Sequence, residues 1–269
     1  MKKPLLITLT ILGVTLFGYL SRNAIMKALG FGSPGTFSLL GLTAYRFVWN
    51  ILIPALTIAA LHKPRRVLAE LGWQANPLKG LMIGLLFTMP MLIGFSLFLT
   101  PVDAPAEKML LDVYKNSFWA ALAEETVFRA FLFGQLFRHG RWPFWVAVGA
   151  QAILFGVGHL YQAHNGVQAA GVFAVTFAGA LWFAWLWLTW QSLWVPIAVH
   201  MLMNAWWGLF AVADSTLGGW MANACRVATI ALSIWFTLRM LKREGRTARV
   251  WNQEVKQTAG LPATSALAL

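Results

Sequence analysis

Long apolar runs recur along the whole chain, and short polar segments separate them. Most runs are long enough to cross a hydrocarbon layer of about 30 Å as a helix. The period-two alternation that a membrane β-barrel requires is absent. The pattern therefore predicts an all-α, polytopic membrane bundle of about eight transmembrane helices. The predicted spans cover residues 5–20, 37–61, 80–99, 117–137, 143–160, 167–190, 193–212 and 220–241.

The composition supports this class of protein. Of 269 residues, 59% are hydrophobic and 11% are charged, whereas a soluble domain carries about 25% charged residues. The single cysteine, Cys225, excludes an intramolecular disulfide and a cysteine-based metal site. We expect one membrane-embedded domain over residues 1–244, a motif-bearing core over 117–212, and a polar, loosely ordered cytoplasmic tail over 245–269.

The positive charges indicate an orientation. The net charge is +12, and the basic residues lie mostly between apolar runs, which the positive-inside rule explains better than nucleic-acid binding does. With a cytoplasmic N-terminus, the outer segments hold only Arg22, Lys27, Lys108 and Lys115. The inner segments hold fourteen, namely Lys2, Lys3, Lys63, Arg65, Arg66, Lys79, Arg138, Arg141, Arg239, Lys242, Arg243, Arg246, Arg249 and Lys256. We therefore expect an integral protein of a bacterial inner membrane with both termini in the cytoplasm.

Ionisable residues inside spans are functional suspects because their insertion costs about 2.5–3.5 kcal/mol each. Glu124 and Glu125 are the only carboxylates in the predicted spans. Glu125 shares a helix face with Arg129, four residues later, and can form an ion pair with it. Glu124 points about 100° away and has no partner nearby in the sequence.

Two further spans carry polar residues. Phe155 and His159 share a face of the fifth span, and His200 and Asn204 share a face of the seventh. Convergence of the three spans on one cavity would satisfy these groups together. By contrast, we expect Arg46 and Arg226 to be structural, and Ala170, Ala174 and Ala178 to form a close helix contact.

This set of residues points to hydrolysis by an activated water. Glu124 beside His159 could deprotonate a water molecule, and His200 and Asn204 could stabilise an oxyanion. Glu125, Arg129 and Phe155 would support them. No serine or cysteine lies at helical spacing to these groups, so a covalent acyl-enzyme route is less favoured.

Two other functions fit intramembrane glutamate and histidine residues. One is an ion-coupled transporter in which Glu124, His159 and His200 relay protons. That function predicts an internal repeat with broken helices, and no repeat is evident in the sequence. The other is a non-catalytic immunity-type membrane protein.

Three short motifs resemble those of a known family. EETVFR at residues 124–129 resembles EExxxR, FGVGH at 155–159 resembles FxxxH, and HMLMN at 200–204 resembles HxxxN, in the same order. These are motifs of the CPBP family, which comprises type II CAAX prenyl endopeptidases and their bacterial Abi relatives.

The resemblance implies an intramembrane glutamic-type endopeptidase with Glu124 as general base and His159 sharing the catalytic water. It also implies that His200 and Asn204 form the oxyanion hole. No cofactor is expected, although a Glu/His set could ligate a divalent metal such as zinc. The expected partners are the lipid bilayer and a protein or peptide substrate with a membrane-embedded or membrane-proximal segment, such as the C-terminal segment of an exported protein.

Overall fold

The computed structural model describes residues 2–30 and 38–247, and within these ranges the protein is helical, with no β-strand. The tail predicted over residues 245–269 lies outside the described residues except for its first three positions. Nine helices follow one another in the described ranges: α1 (Lys2–Ala28), α2 (Leu39–Leu61), α3 (Val67–Leu71), α4 (Pro77–Phe98), α5 (106–138), α6 (Phe144–Gly158), α7 (Gly166–Trp190), α8 (Trp194–Leu209) and α9 (Trp220–Arg243).

The predicted helical bundle is confirmed, and a helix occupies the position of each of the eight predicted spans. Six of these helices are long and apolar enough to cross a membrane: α1, α2, α4, α6, α7 and α9. The other two, α5 and α8, carry the EExxxR and HxxxN motifs. Helix α8 has 16 residues, or about 24 Å at 1.5 Å per residue, which is shorter than the hydrocarbon layer. Length and hydropathy therefore support six spans, with two motif-bearing helices packed among them.

The outer surface of the bundle is apolar, as expected for a protein solvated by lipid. Large side chains such as Leu9, Leu20, Leu40 and Leu97 are more than 60% exposed. A soluble protein rarely shows so extensive an apolar surface. The chain is therefore an integral membrane protein.

Helix α5 begins earlier than the sequence pattern predicts. Its expected start is Ser117, but the helix begins at Ala106, directly after Pro105 at the N-cap. The first eleven residues contain glutamate, lysine and leucine, which are good helix formers in spite of their mixed polarity. Hydropathy therefore placed these residues in a loop, although their helix propensity is high.

Helix α5 runs through the centre of the bundle. Its segments follow one another without a break and are Ala106–Asp112, Val113–Phe118, Trp119–Glu124, Glu125–Phe133 and Gly134–Arg138. Phe131, Phe133 and Phe137 are fully or almost fully buried and pack against Ile7 and Ile11 of α1 and against α6. Helix α1 is therefore a packed member of the bundle.

Two glycines bring α8 close to α4. A Cβ atom at Gly80 would lie 2.5 Å from the Cβ of Trp194, and one at Gly84 would lie 2.5 Å from the Cβ of Ala198. Small residues at four-residue spacing permit such close packing in membranes. The contact fixes α8 just before His200.

The alanine stripe of α7 does not form the close contact that we expected of it. Ala170, Ala174 and Ala178 are all exposed, because α7 packs on α6 through other positions, including buried Val172, Thr176 and Ala180. By contrast, Gly80 and Gly84 of α4 do approach another helix, α8, closely.

Candidate active site

The three motif-bearing helices meet around Glu124. Its Oε2 atom lies 4.0 Å from Nε2 of His159 on α6 and 3.8 Å from Nε2 of His200 on α8. Both distances exceed a direct hydrogen bond, and at such separations a bridging water should be considered. Oε2 is buried without a hydrogen-bond partner, although the Glu124 side chain as a whole is 30% exposed. The carboxylate is therefore accessible but unpaired.

The end of helix α6 orients His159. The helix ends at Gly158, and His159 follows as its C-cap. The Nδ1 atom of His159 donates to the carbonyl oxygen of Phe155, at 2.7 Å. This bond satisfies one of the carbonyls that a helix C-terminus leaves free. Because a carbonyl can only accept, Nδ1 carries the hydrogen, and Nε2 faces Glu124.

A second carboxylate orients His200. Its Nδ1 atom lies 2.8 Å from Oε1 of Glu125, which is fully buried. The imidazole also stacks on the ring of Phe183 with centroids 5.3 Å apart and an interplanar angle of 15°. With Nδ1 bonded to Glu125, the Nε2 atom of His200 is directed at Glu124.

Glu125 also forms the ion pair with Arg129 that the four-residue spacing predicts. The Nε atom of Arg129 lies 3.1 Å from Oε2 of Glu125, and both side chains are 0% exposed. The guanidinium carbon lies 4.4 Å from the ring centroid of Phe155 and 5.3 Å from that of Phe183. Aromatic faces stabilise a desolvated cation, so Phe155 supports the site through Arg129 as well as through contact with His159.

The local helix geometry of α5 changes at the paired carboxylates. Residues Glu125–Phe133 form a π-helix, directly after the α-helical segment Trp119–Glu124. Such i→i+5 segments are rare and occur often at functional sites. Glu124 and Glu125 thus lie at the junction of two helix types and face different partners.

Asn204 is the one predicted catalytic residue for which the structure shows no contact with this group. Its Nδ2 atom donates to the carbonyl oxygen of Asn116, at 3.1 Å. Asn116 lies eight residues before Glu124 on α5. An amide nitrogen carries two hydrogens, so one remains for another acceptor, and the bond to Asn116 fixes the direction of the amide.

The sequence analysis missed Phe183 and Asn116. Phe183 contacts both His200 and Arg129, but one phenylalanine in an apolar span gives no signal in the sequence. Asn116 contributes a backbone carbonyl, for which the residue type carries no information. The two isolated arginines are structural, as expected. Arg226 donates to Asn223 and to the Thr216 carbonyl, and Arg46 donates to the Lys115 carbonyl.

The fold and the site together define a polytopic helical membrane protein with carboxylate and imidazole groups inside the bundle. Residues 106–206 match the family model described as type II CAAX prenyl endopeptidase Rce1-like. The match begins where α5 begins and includes all three motifs. This segment is thus similar to the Rce1-like family, a family of proteases, in agreement with the resemblance seen in the motifs. No curated protein and no solved structure matches the chain.

Proposed function

We propose that the protein is an intramembrane endopeptidase of the glutamic type, in which Glu124 and His159 activate a water molecule that hydrolyses a peptide bond. One observation carries the proposal. The Oε2 atom of Glu124 makes no hydrogen bond and lies 3.8–4.0 Å from the Nε2 atoms of two histidines. The Nδ1 atom of each histidine contacts another group, which fixes the orientation of the ring.

The first step is activation of the water. With its hydrogen on Nδ1, neutral His159 offers a lone pair at Nε2. A water between His159 and Glu124 would donate one hydrogen to each, which leaves an oxygen lone pair for the scissile carbonyl carbon. Glu124 takes the proton as the water attacks and returns it to the leaving amine.

The second step is stabilisation of the oxyanion. The Nε2 atom of His200, on the ring that Glu125 holds through Nδ1, is the first donor. The free hydrogen of the Asn204 amide is the second donor.

The substrate that fits such a site is a segment of a membrane protein. Glu124 lies in a helix surrounded by apolar spans, so a peptide bond must reach it within or beside the membrane. We propose the C-terminal or membrane-proximal segment of a membrane-anchored or exported protein. With both termini in the cytoplasm and with α5 and α8 also crossing the membrane, as the eight predicted spans require, α5 enters from the outer face, and His159 lies at the outer end of α6. Reporter fusions that place the loop after His159 in the cytoplasm would overturn this orientation.

The test compares the membrane proteome of a deletion strain that carries the wild type, Glu124→Gln or Glu107→Gln. Glu107 is the matched control because it is an exposed carboxylate on the same helix. We expect a membrane or exported protein to keep its C-terminal segment in the Glu124→Gln strain and to lose it in the other two. Cleavage that persists with Glu124→Gln, at equal amounts of membrane-inserted protein, contradicts the proposal.

A further inference from the structure

A second group of polar side chains lies at the C-terminal end of α5. His62 follows the last residue of α2, Glu70 lies on α3, and Gln135 and His139 lie at the end of α5. Among the described residues, His62, Glu70 and His139 are the group of three metal-ligating side chains whose ligand atoms all lie within 4.8 Å of one another. None of these residues belongs to the three motifs.

The contacts within the group converge on one carboxylate oxygen. Oε2 of Glu70 lies 2.8 Å from Nε2 of His139 and 3.3 Å from Nε2 of Gln135. Oε1 of Gln135 lies 2.7 Å from Nε2 of His62. The two imidazole rings are adjacent, with centroids 4.2 Å apart. Two imidazoles, one carboxylate and one amide oxygen therefore surround a common point.

We propose that His62, Glu70 and His139 bind a divalent transition metal, with zinc the best fit, and that the metal fastens α2 and α3 to the end of α5. Two histidines and a glutamate are a known ligand set for zinc. With metal–ligand bonds of about 2.1 Å, ligand atoms in a tetrahedral site lie about 3.4 Å apart. Small movements of the side chains would bring the present separations to that value. The Gln135 carbonyl oxygen or a water would be the fourth ligand.

Two arginines lie beside the carboxylate of Glu70. Arg66 lies 3.0 Å from Oε1, and its side chain is 42% exposed, so it orients the oxygen that would not ligate the metal. Polar groups that contact a ligating carboxylate from outside the ligand set are usual at metal sites. The Nη2 atom of Arg138 donates to the Glu70 backbone carbonyl, at 2.6 Å, and lies 3.7 Å from Oε2. The ligand set, with two imidazoles and one carboxylate, disfavours Mg²⁺ and Ca²⁺, which need several oxygen ligands, and favours metals that bond strongly to imidazole.

The experiment uses the purified full chain in detergent, stripped with a chelator and then titrated with Co²⁺, which reports coordination through its visible absorption, and with Zn²⁺ as competitor. We expect one saturable Co²⁺ per chain and its displacement by Zn²⁺. His62→Gln and His139→Gln should each weaken binding at least about tenfold. Zn²⁺ should raise the melting temperature of the wild type but not that of these variants.

Two controls separate this site from the proposed active site. His164→Gln, an exposed loop histidine, and His159→Gln should both bind Co²⁺ as the wild type does. Lack of saturable binding by the wild type, or binding that survives both His62→Gln and His139→Gln, overturns the proposal. Binding that is lost with His159→Gln also overturns it, because the metal would then lie beside Glu124. Glu70→Gln would also remove the counter-charge of Arg66 and Arg138, so the test relies on the two histidine variants. None of these results depends on protease activity.

Discussion

The Nδ1 atom of His200 lies 2.8 Å from Oε1 of Glu125, while the Nε2 atom of the same ring lies 3.8 Å from Oε2 of Glu124. Two consecutive carboxylates of one helix therefore contact opposite sides of one imidazole. Glu125 is fully buried and paired, whereas Glu124 is partly exposed and unpaired. The two glutamates should consequently respond differently to the same substitution.

Glu125→Gln should reduce both stability and cleavage. The amide leaves Arg129 buried without its counter-charge, and loss of one partner from a buried ion pair costs about 3–5 kcal/mol. Glu124→Gln should abolish cleavage with little effect on the melting temperature, because its Oε2 makes no hydrogen bond. Thermal melts in detergent and a cleavage assay distinguish the two. An equal fall in melting temperature in both variants would contradict this difference between the roles of Glu124 and Glu125.

Asn204→Ala should lower kcat by about 10²–10³ with little change in KM, since loss of one oxyanion donor has an effect of that size. Asn204→Asp should be at least as slow, because it places a negative charge beside the developing oxyanion. Steady-state kinetics on a cleavable peptide measure both effects. A rise in KM at unchanged kcat would show that Asn204 binds substrate in the ground state instead.

Gly84→Ala should weaken cleavage although Gly84 does not contact the catalytic groups. The added Cβ would meet the Ala198 Cβ at 2.5 Å and the Ala198 backbone carbon at 2.9 Å. Helix α8 must shift to relieve this overlap, and overpacking costs about 1–3 kcal/mol. His200 would move with the helix. Gly179→Ala is the matched control, because nothing lies within 4 Å of a Cβ at that position. Equal activity in the two variants would argue against the close contact between α4 and α8.

Stability should fall in acid partly through Glu70. Its pKa is lowered from 4.5 to about 2 in the folded protein, so its contribution is complete above about pH 4.5 and is lost between that pH and about pH 2. Melting temperatures at pH 5 and pH 3, with chelator present, should fall less for Glu70→Gln than for the wild type. The exposed Glu107→Gln serves as control. The same pH dependence of melting temperature in the wild type and in Glu70→Gln would contradict a contribution of Glu70 to the loss of stability in acid.

The sequence predicts the helices well because hydropathy and length decide them, and α7 and α9 begin within one residue of their expected positions. It also singles out Glu124, His159 and His200, since charged and imidazole groups are rare in spans, and in the structure the Nε2 atoms of both histidines lie within 4.0 Å of Glu124 Oε2. It misses contacts that depend on packing between distant elements. The Glu125–His200 bond joins residues 75 positions apart, and the Asn204 contact is with a backbone atom. The early start of α5 was missed because a hydropathy window does not register helix propensity.

The π-helical stretch Glu125–Phe133 determines where α5 can change in length. Each of its i→i+5 hydrogen-bonded loops spans one residue more than the i→i+4 loop of an α-helix. Deletion of a single residue there would let the backbone relax to an α-helix, and the residues beyond the deletion, including Gln135, would keep their direction about the helix axis. A deletion in the α-helical segment Trp119–Glu124 would instead rotate everything beyond it by about 100° relative to the start of α5. Changes of chain length should therefore be better tolerated within the π-helical stretch than directly before it.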